Sequence, residues 1–183
     1  MPSYNAAYPQ VMTASGQPMA FAPTAVPTNP ASCSVDDLWQ LAVHILNKVV
    51  ETYAQCSVSL PSRQYIALST PAQDCEQVTV AWQQSYIGPP GDEANAPQRC
   101  ESPRSAVFQV VVTRCIPVAD DRGRAPTPLA ITEASKTLMG DAWLLLSSVK
   151  GWDDYLGVIA TVEASEAQGG LQSVVLTLTL GVP

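Results

Sequence analysis

Apolar positions along this chain change their period several times, and each change marks an element. Leu38, Leu41, Ala42, Ile45, Leu46, Val49 and Tyr53 recur at three- and four-residue steps, which puts them on one helical face. The spacing predicts a helix from Val35 to Ala54. Ser34 followed by Asp37 resembles a capping box with Asp in place of Glu or Gln, and Asp36 and Asp37 suit the positive end of a helix dipole. Cys56, Val58 and Leu60 alternate before Pro61 turns the chain. Tyr65 to Leu68 then reads as a short strand. Gln77 to Tyr86 reads as a longer one, with Val78, Val80 and Trp82 on one face and Gln77, Thr79, Ala81 and Gln83 on the other. Ala106 to Ile116 is apolar on both faces, as a central strand covered on both sides must be. Helix periodicity returns from Leu129 to Val149, with Pro128 in its first turn. Its predicted buried stripe is Leu138, Ala142, Leu145, Leu146 and Val149, with Trp143 beside it. Val158 to Ala164 and Leu171 to Leu180 flank Gly169-Gly170 and predict a hairpin.

The resulting order is arm, α, β, β, β, α, β, β. It predicts an α+β fold: a mostly antiparallel sheet of about five strands flanked by two helices, with an extended N-terminal arm. Residues 1–33 form the arm, rich in Pro, Ala, Ser and Thr, and 34–183 form the domain. No charged residue occurs before Asp36. The arm reads either as a disordered tail or as a strap that lies on a neighbouring subunit through Tyr4, Tyr8, Met12, Met19 and Phe21.

Charge alters the picture of the surface. Only 14% of residues are charged, against about 25% in a usual globular domain. That suits either a protein whose surface is largely covered in its working state or simply a chain with a long uncharged tail. The formal net charge is −7 with nine Lys and Arg, so clustered basic residues for gripping a phosphate backbone are absent. Acidic walls do, however, let DNA pass without sticking. No run of 18 apolar residues and no signal-peptide pattern occurs, so neither a membrane span nor a leader is expected.

Candidate chemistry is sparse. Cys33, Cys56, Cys75, Cys100 and Cys115 are odd in number and widely spaced. They read as small thiols, with a bridge among Cys75, Cys100 and Cys115 left open where strand ends meet. His44 is the sole histidine and has no nucleophile motif near it, so it reads as a packing or surface residue. The carboxylate pairs Asp36-Asp37, Asp92-Glu93, Asp120-Asp121 and Asp153-Asp154 read as solvated. Gly88-Pro89-Pro90-Gly91 has two prolines without N–H groups and is no phosphate cradle. No catalytic residue, metal or cofactor is expected. An enzyme using His44 or a carboxylate pair remains the rival reading. Arg99, Arg104 and Arg114 lie at the ends of the central strands, either as surface charges or as partners for acidic groups of another subunit.

The central segment carries a resemblance. Tyr65-Ile66-Ala67, Asp74-Cys75-Glu76-Gln77, Tyr86-Ile87-Gly88-Pro89-Pro90-Gly91, Arg99-Cys100, Phe108-Gln109-Val110 and Arg114-Cys115-Ile116-Pro117 resemble minor tail proteins of phages of actinobacteria. They look most like the tail terminator of long-tailed phages. The resemblance covers about Val35 to Pro183 and implies a non-enzymatic virion protein of the tail and neck, assembled in the host cytoplasm. Such a protein forms a homo-oligomeric ring, commonly a hexamer, that caps the tail tube and ends its polymerisation. The ring joins the tail to the head connector while DNA passes through its lumen without sequence-specific binding. A head–tail stopper is the alternative. The expected interface residues are Gly88, Asp92, Glu93, Arg99 and Arg104 around the 88–103 loop, Asp120, Asp121, Arg122 and Arg124 in a charged, mobile turn, and Tyr4, Tyr8 and Phe21 in the arm.

Overall fold

The computed structural model describes residues 11–12, 18–19, 37–69, 72–91, 104–150, 152 and 157–182. Two short strands, β1 (Val11–Met12) and β2 (Pro18–Met19), pair antiparallel. Then follow α1 (Asp37–Gln55), β3 (Arg63–Leu68), β4 (Gln77–Ile87), β5 (Arg104–Cys115), α2 (Pro128–Ser148), β6 (Val158–Ala164) and β7 (Leu171–Val182). The five long strands form one sheet in the order β3-β4-β5-β7-β6. The α+β architecture and the central place of β5 agree with the sequence pattern.

Both helices pack on the same face of that sheet. Leu41, Ala42, Ile45, Leu46, Val49 and Tyr53 of α1 and Leu138, Leu144 and Leu145 of α2 share one core with Val78 and Val80 of β4, Phe108, Val110 and Val112 of β5 and Leu176, Leu178 and Leu180 of β7. α1 lies over β3 and β4, and α2 over β7 and β6. Burying these side chains is the main driving force for the fold. α1 ends with Ser57 in a left-handed conformation. Val58 N–H donates to the Tyr53 carbonyl and Ser57 N–H to that of Ala54, both at 3.1 Å. This is a helix stop in which serine takes the place usually held by glycine. α2 starts at Thr127, whose Oγ1 accepts from Ala130 N–H at 3.2 Å, with Pro128 in the first turn.

Three features depart from the sequence pattern. First, β3 pairs with β4 in parallel, from Arg63 opposite Gln77 to Leu68 opposite Trp82. Parallel neighbours usually need a crossover of about a dozen residues or more, but here the chain returns within residues 69–76. Ala72, midway along that return, lies against the sheet face opposite the helices. Gln77, fully buried there, donates from Nε2 to the Ala72 carbonyl at 3.1 Å, and Tyr65 Oη donates to Gln77 Oε1 at 3.2 Å. Second, the β4–β5 ladder shifts between Trp82 and Gln84. Such a bulge turns the following side chains to the other face. Tyr86, opposite Ser105, therefore looks away from the helices. Third, α2 departs from the predicted stripe at Leu146, while Leu138 and Leu145 are buried and Ala142 and Val149 pack against the core as expected. Leu138, Asp141, Leu144, Leu145 and Ser148 are its buried residues, whereas Leu146 and Trp143 point outward.

The hairpin of β6 and β7 closes as predicted. Gln168 and Leu171 exchange hydrogen bonds at 2.9 Å across Gly169 (φ 57°) and Gly170 (φ 82°). Two successive positive φ values are what a type I′ turn requires. Cys75 and Cys115 form a disulfide across the adjoining ends of β4 and β5, with Cα atoms 5.0 Å apart. The thiol reading is thereby corrected for this pair, and Cys56 is free and exposed. Cys33 and Cys100 lie outside the described residues.

Candidate assembly surface

α2 is apolar on two opposite faces. The inner face is the core stripe. On the outer face, Met139, Trp143 and Leu146 recur at helical spacing and remain exposed, Met139 by 72% and Trp143 by 67%. Leu129 at the first turn is also exposed. Lys136 falls on this outer face, and Lys150 just beyond the helix places its ammonium 5.7 Å from the Trp143 ring centroid, a cation–π contact. Three lysines occur in the whole chain, so two of them border this patch. Contiguous apolar patches beyond a few hundred Å² are rare on monomers and mark interaction sites.

α2 also carries a buried charge cluster that the sequence pattern missed. Asp141 is 1% exposed. Arg114 of β5 donates to it from Nε to Oδ2 at 2.9 Å and from a terminal nitrogen to Oδ1 at 3.0 Å, a two-point contact. Tyr53 of α1 donates its hydroxyl proton to Asp141 Oδ1 at 2.7 Å. Arg114 also donates to Glu76 Oε2 at 2.6 Å and to the Ser59 carbonyl at 3.0 Å. The one sequence signal was a carboxylate at i+3 from Leu138 and i−4 from Leu145, on a line otherwise apolar. The expectation that Arg114 serves another subunit or the open surface is corrected: its donors are used within its own chain.

These contacts set the protonation of the cluster. Burial, and then the Asp141 carboxylate, push the Tyr53 hydroxyl far above its ordinary value. For Arg114, burial pulls downward, but the hydrogen bonds and charge of Asp141 and Glu76 outweigh it and hold the guanidinium ionised. A raised folded-state tyrosine stabilises the fold fully below the unfolded value of about 10 and loses that contribution as pH rises above it. Tyr53→Phe should therefore cost about 1–2 kcal/mol at neutral pH, from the lost hydrogen bond. It should also show a shallower fall in stability above about pH 10. Urea midpoints across this range check it; parallel alkaline limbs for the two proteins would remove Tyr53 as the titrating group.

The sequence-predicted interface residues scatter. Gly88 is buried, and its carbonyl accepts from Ser105 Oγ at 2.7 Å. Gly91 N–H donates to Tyr86 Oη at 3.2 Å, and a Cβ on Gly91 would sit 2.9 Å from Ile159 of β6. The start of the 88–103 loop thus folds across the sheet face away from the helices, because β5 and β7 lie between β4 and β6. Arg104 is exposed at the start of β5. Asp120, Asp121, Arg122 and Arg124 are all exposed. Their turn is internally tied: Asp120 accepts from the backbone N–H groups of Arg122 and Arg124, each at 2.9 Å, and from Arg124 Nε at 2.8 Å. The backbone bond from Arg124 is the leading cause that holds the Asp120 carboxyl below its ordinary value. Asp92, Glu93, Arg99, Tyr4, Tyr8 and Phe21 lie outside the described residues.

His44 packs its ring 5.4 Å from that of Trp152, whose indole N–H donates to the Ser148 carbonyl at 2.9 Å. Among the described residues, no three His, Cys, Asp or Glu side chains are grouped to hold a metal ion, and no helix is long and apolar enough to cross a membrane.

The described residues define an α+β protein with a mixed five-stranded sheet, one helical layer and an uncovered apolar helix face. No protein-family model matches the chain, and no curated protein matches it. Among solved structures, a chain of the "Virion of native gene transfer agent (GTA) particle" is similar at 10% identity and a TM-score of 0.41, over 81% of this chain and 98% of that one. A likeness this distant carries no weight for function.

Proposed function

We propose that this chain is a structural virion protein that assembles into a ring, caps the tail tube, ends its polymerisation and joins the tail to the head connector. The observation that carries the reading is the outer face of α2. A helix that buries one apolar stripe in its own core and exposes a second needs another chain to cover the second. The motif ensemble from Tyr65 to Pro117 directs that assembly role to the tail terminator. The net charge of −7 suits a lumen through which DNA passes.

Native mass spectrometry of the purified chain, followed by negative-stain imaging after mixing with tail tubes and with connectors, tests the reading. The expected result is a closed homo-oligomer, a hexamer by the resemblance, seated on tube ends and blocking further tube growth. A chain that stays monomeric with both partners present overturns it. Rings that bind only connectors from tail-less particles move the protein one step, to the head–tail stopper.

A further inference from the structure

Two unlike features sit at opposite sides of the sheet. At one side, the Val11–Met12 strand lies alongside β3, the edge strand under α1. At the other, α2 covers β7 and the opposite edge strand β6, and presents Met139, Trp143 and Leu146 outward. A patch that differs from what it must meet makes a head-to-tail contact, and such contacts close into rings when the rotation allows. Resting on the ring reading above, we infer that the outer face of α2 is the seat for the N-terminal segment, residues 1–33, of the adjacent copy.

The chemistry of the two surfaces agrees. The segment has no charged residue and carries Tyr4, Tyr8, Met12 and Phe21 between prolines. Extended proline-rich chain is stiff, loses little entropy on docking, and is read by aromatic surfaces. Trp143 supplies the aromatic platform. Methionine on either side adapts to an irregular partner and makes favourable sulfur–aromatic contacts. Lys136 and Lys150 border the seat, with the exposed Glu133 one turn before Lys136. The lysine stems extend the apolar surface while their ammonium groups stay in water.

The test uses the full-length chain, a version lacking residues 2–33, and Trp143→Ser. A benzophenone amino acid placed at position 4 in full-length protein, away from the Val11–Met12 strand, in an equal mixture of normal and ¹⁵N-labelled chains, reports what the segment touches and on which copy. The expected result is mixed-isotope cross-links to the peptide holding Met139 and Trp143. Both altered proteins should remain folded by circular dichroism but dissociate to monomers, their oligomer at least about tenfold weaker, which is 1.4 kcal/mol or more. Oligomers of unchanged size and strength without residues 2–33, or cross-links confined to chains of one isotope, overturn the inference and leave the ring reading standing. A full-length chain that is monomeric at all concentrations overturns both.

Discussion

Replacing Asp141 with alanine should remove about 3–5 kcal/mol of stability, the usual cost of deleting one partner of a buried ion pair. The carboxylate accepts three hydrogen bonds, two from Arg114 and one from Tyr53. Without it, the Tyr53 hydroxyl is buried and unmatched, and the Arg114 guanidinium keeps only Glu76 and the Ser59 carbonyl. Glu76 is a poor substitute because its side chain is 42% exposed, and ion pairs in contact with water contribute about 0–1 kcal/mol. A domain stable by about 5–15 kcal/mol loses a large share of its margin. The loss should come from stranding the partners and not from the net worth of the pair, because desolvation offsets most of the Coulomb attraction. The triple variant Tyr53→Phe/Arg114→Met/Asp141→Leu, which strands nothing, should therefore recover most of what Asp141→Ala loses. Urea denaturation of the wild type and both variants decides this. An Asp141→Ala midpoint equal to wild type, or a triple variant no better than the single one, contradicts the account.

That cluster also explains why part of the fold was legible in the sequence and part was not. Local periods were enough for α1, where a single apolar face runs from Leu41 to Tyr53, and for β5, where alternation is apolar on both sides. α2 is different because it is apolar on more than one face. Its period alone does not choose which face turns inward. The choice falls to Asp141, whose partners stand 27 and 88 residues away in the sequence. With Asp141 drawn in, Leu144 and Ser148 join the buried stripe, and Leu146 is left outside beside Trp143. The parallel β3–β4 pair was hidden for a similar reason. A short connection normally signals a hairpin, and the return across residues 69–76 depends on Tyr65 and Gln77 anchoring it to the sheet. The loop from Gly88 was read only as a candidate interface element, with no direction assigned. Its direction was decided by Tyr86, which the bulge before Gln84 had turned to the far face, and by Ser105. The exposed turn at Asp120 needed no such knowledge, since its contacts lie within four residues.

Reducing the Cys75–Cys115 bridge, or replacing both cysteines with serine, should destabilise the chain by about 4 kcal/mol. The bridge spans 40 residues, and the loop-entropy relation gives this magnitude for a closed loop of that length, mainly by restricting the unfolded chain. The bridge also stands beside the charge cluster, since Glu76 follows Cys75 and Arg114 precedes Cys115. Glu76 is held in a left-handed conformation with its carbonyl accepting from Arg63 N–H at 3.1 Å, so the chain there is pinned on both sides. Opening the bridge should free that corner and weaken the Glu76–Arg114 contact. The effects of Cys75→Ser/Cys115→Ser and Glu76→Ala should then be less than additive, whereas distant sites add within about 0.5 kcal/mol. The core contacts of Phe108, Val110 and Leu176 do not involve the bridge, so the reduced protein should keep its secondary structure and melt earlier. Thermal and urea unfolding with and without reductant measure the loss, and peptide mapping under non-reducing conditions fixes the pairing. A native protein in which Cys75 is alkylated without reductant, or in which reductant leaves the midpoint unmoved, rules the staple out.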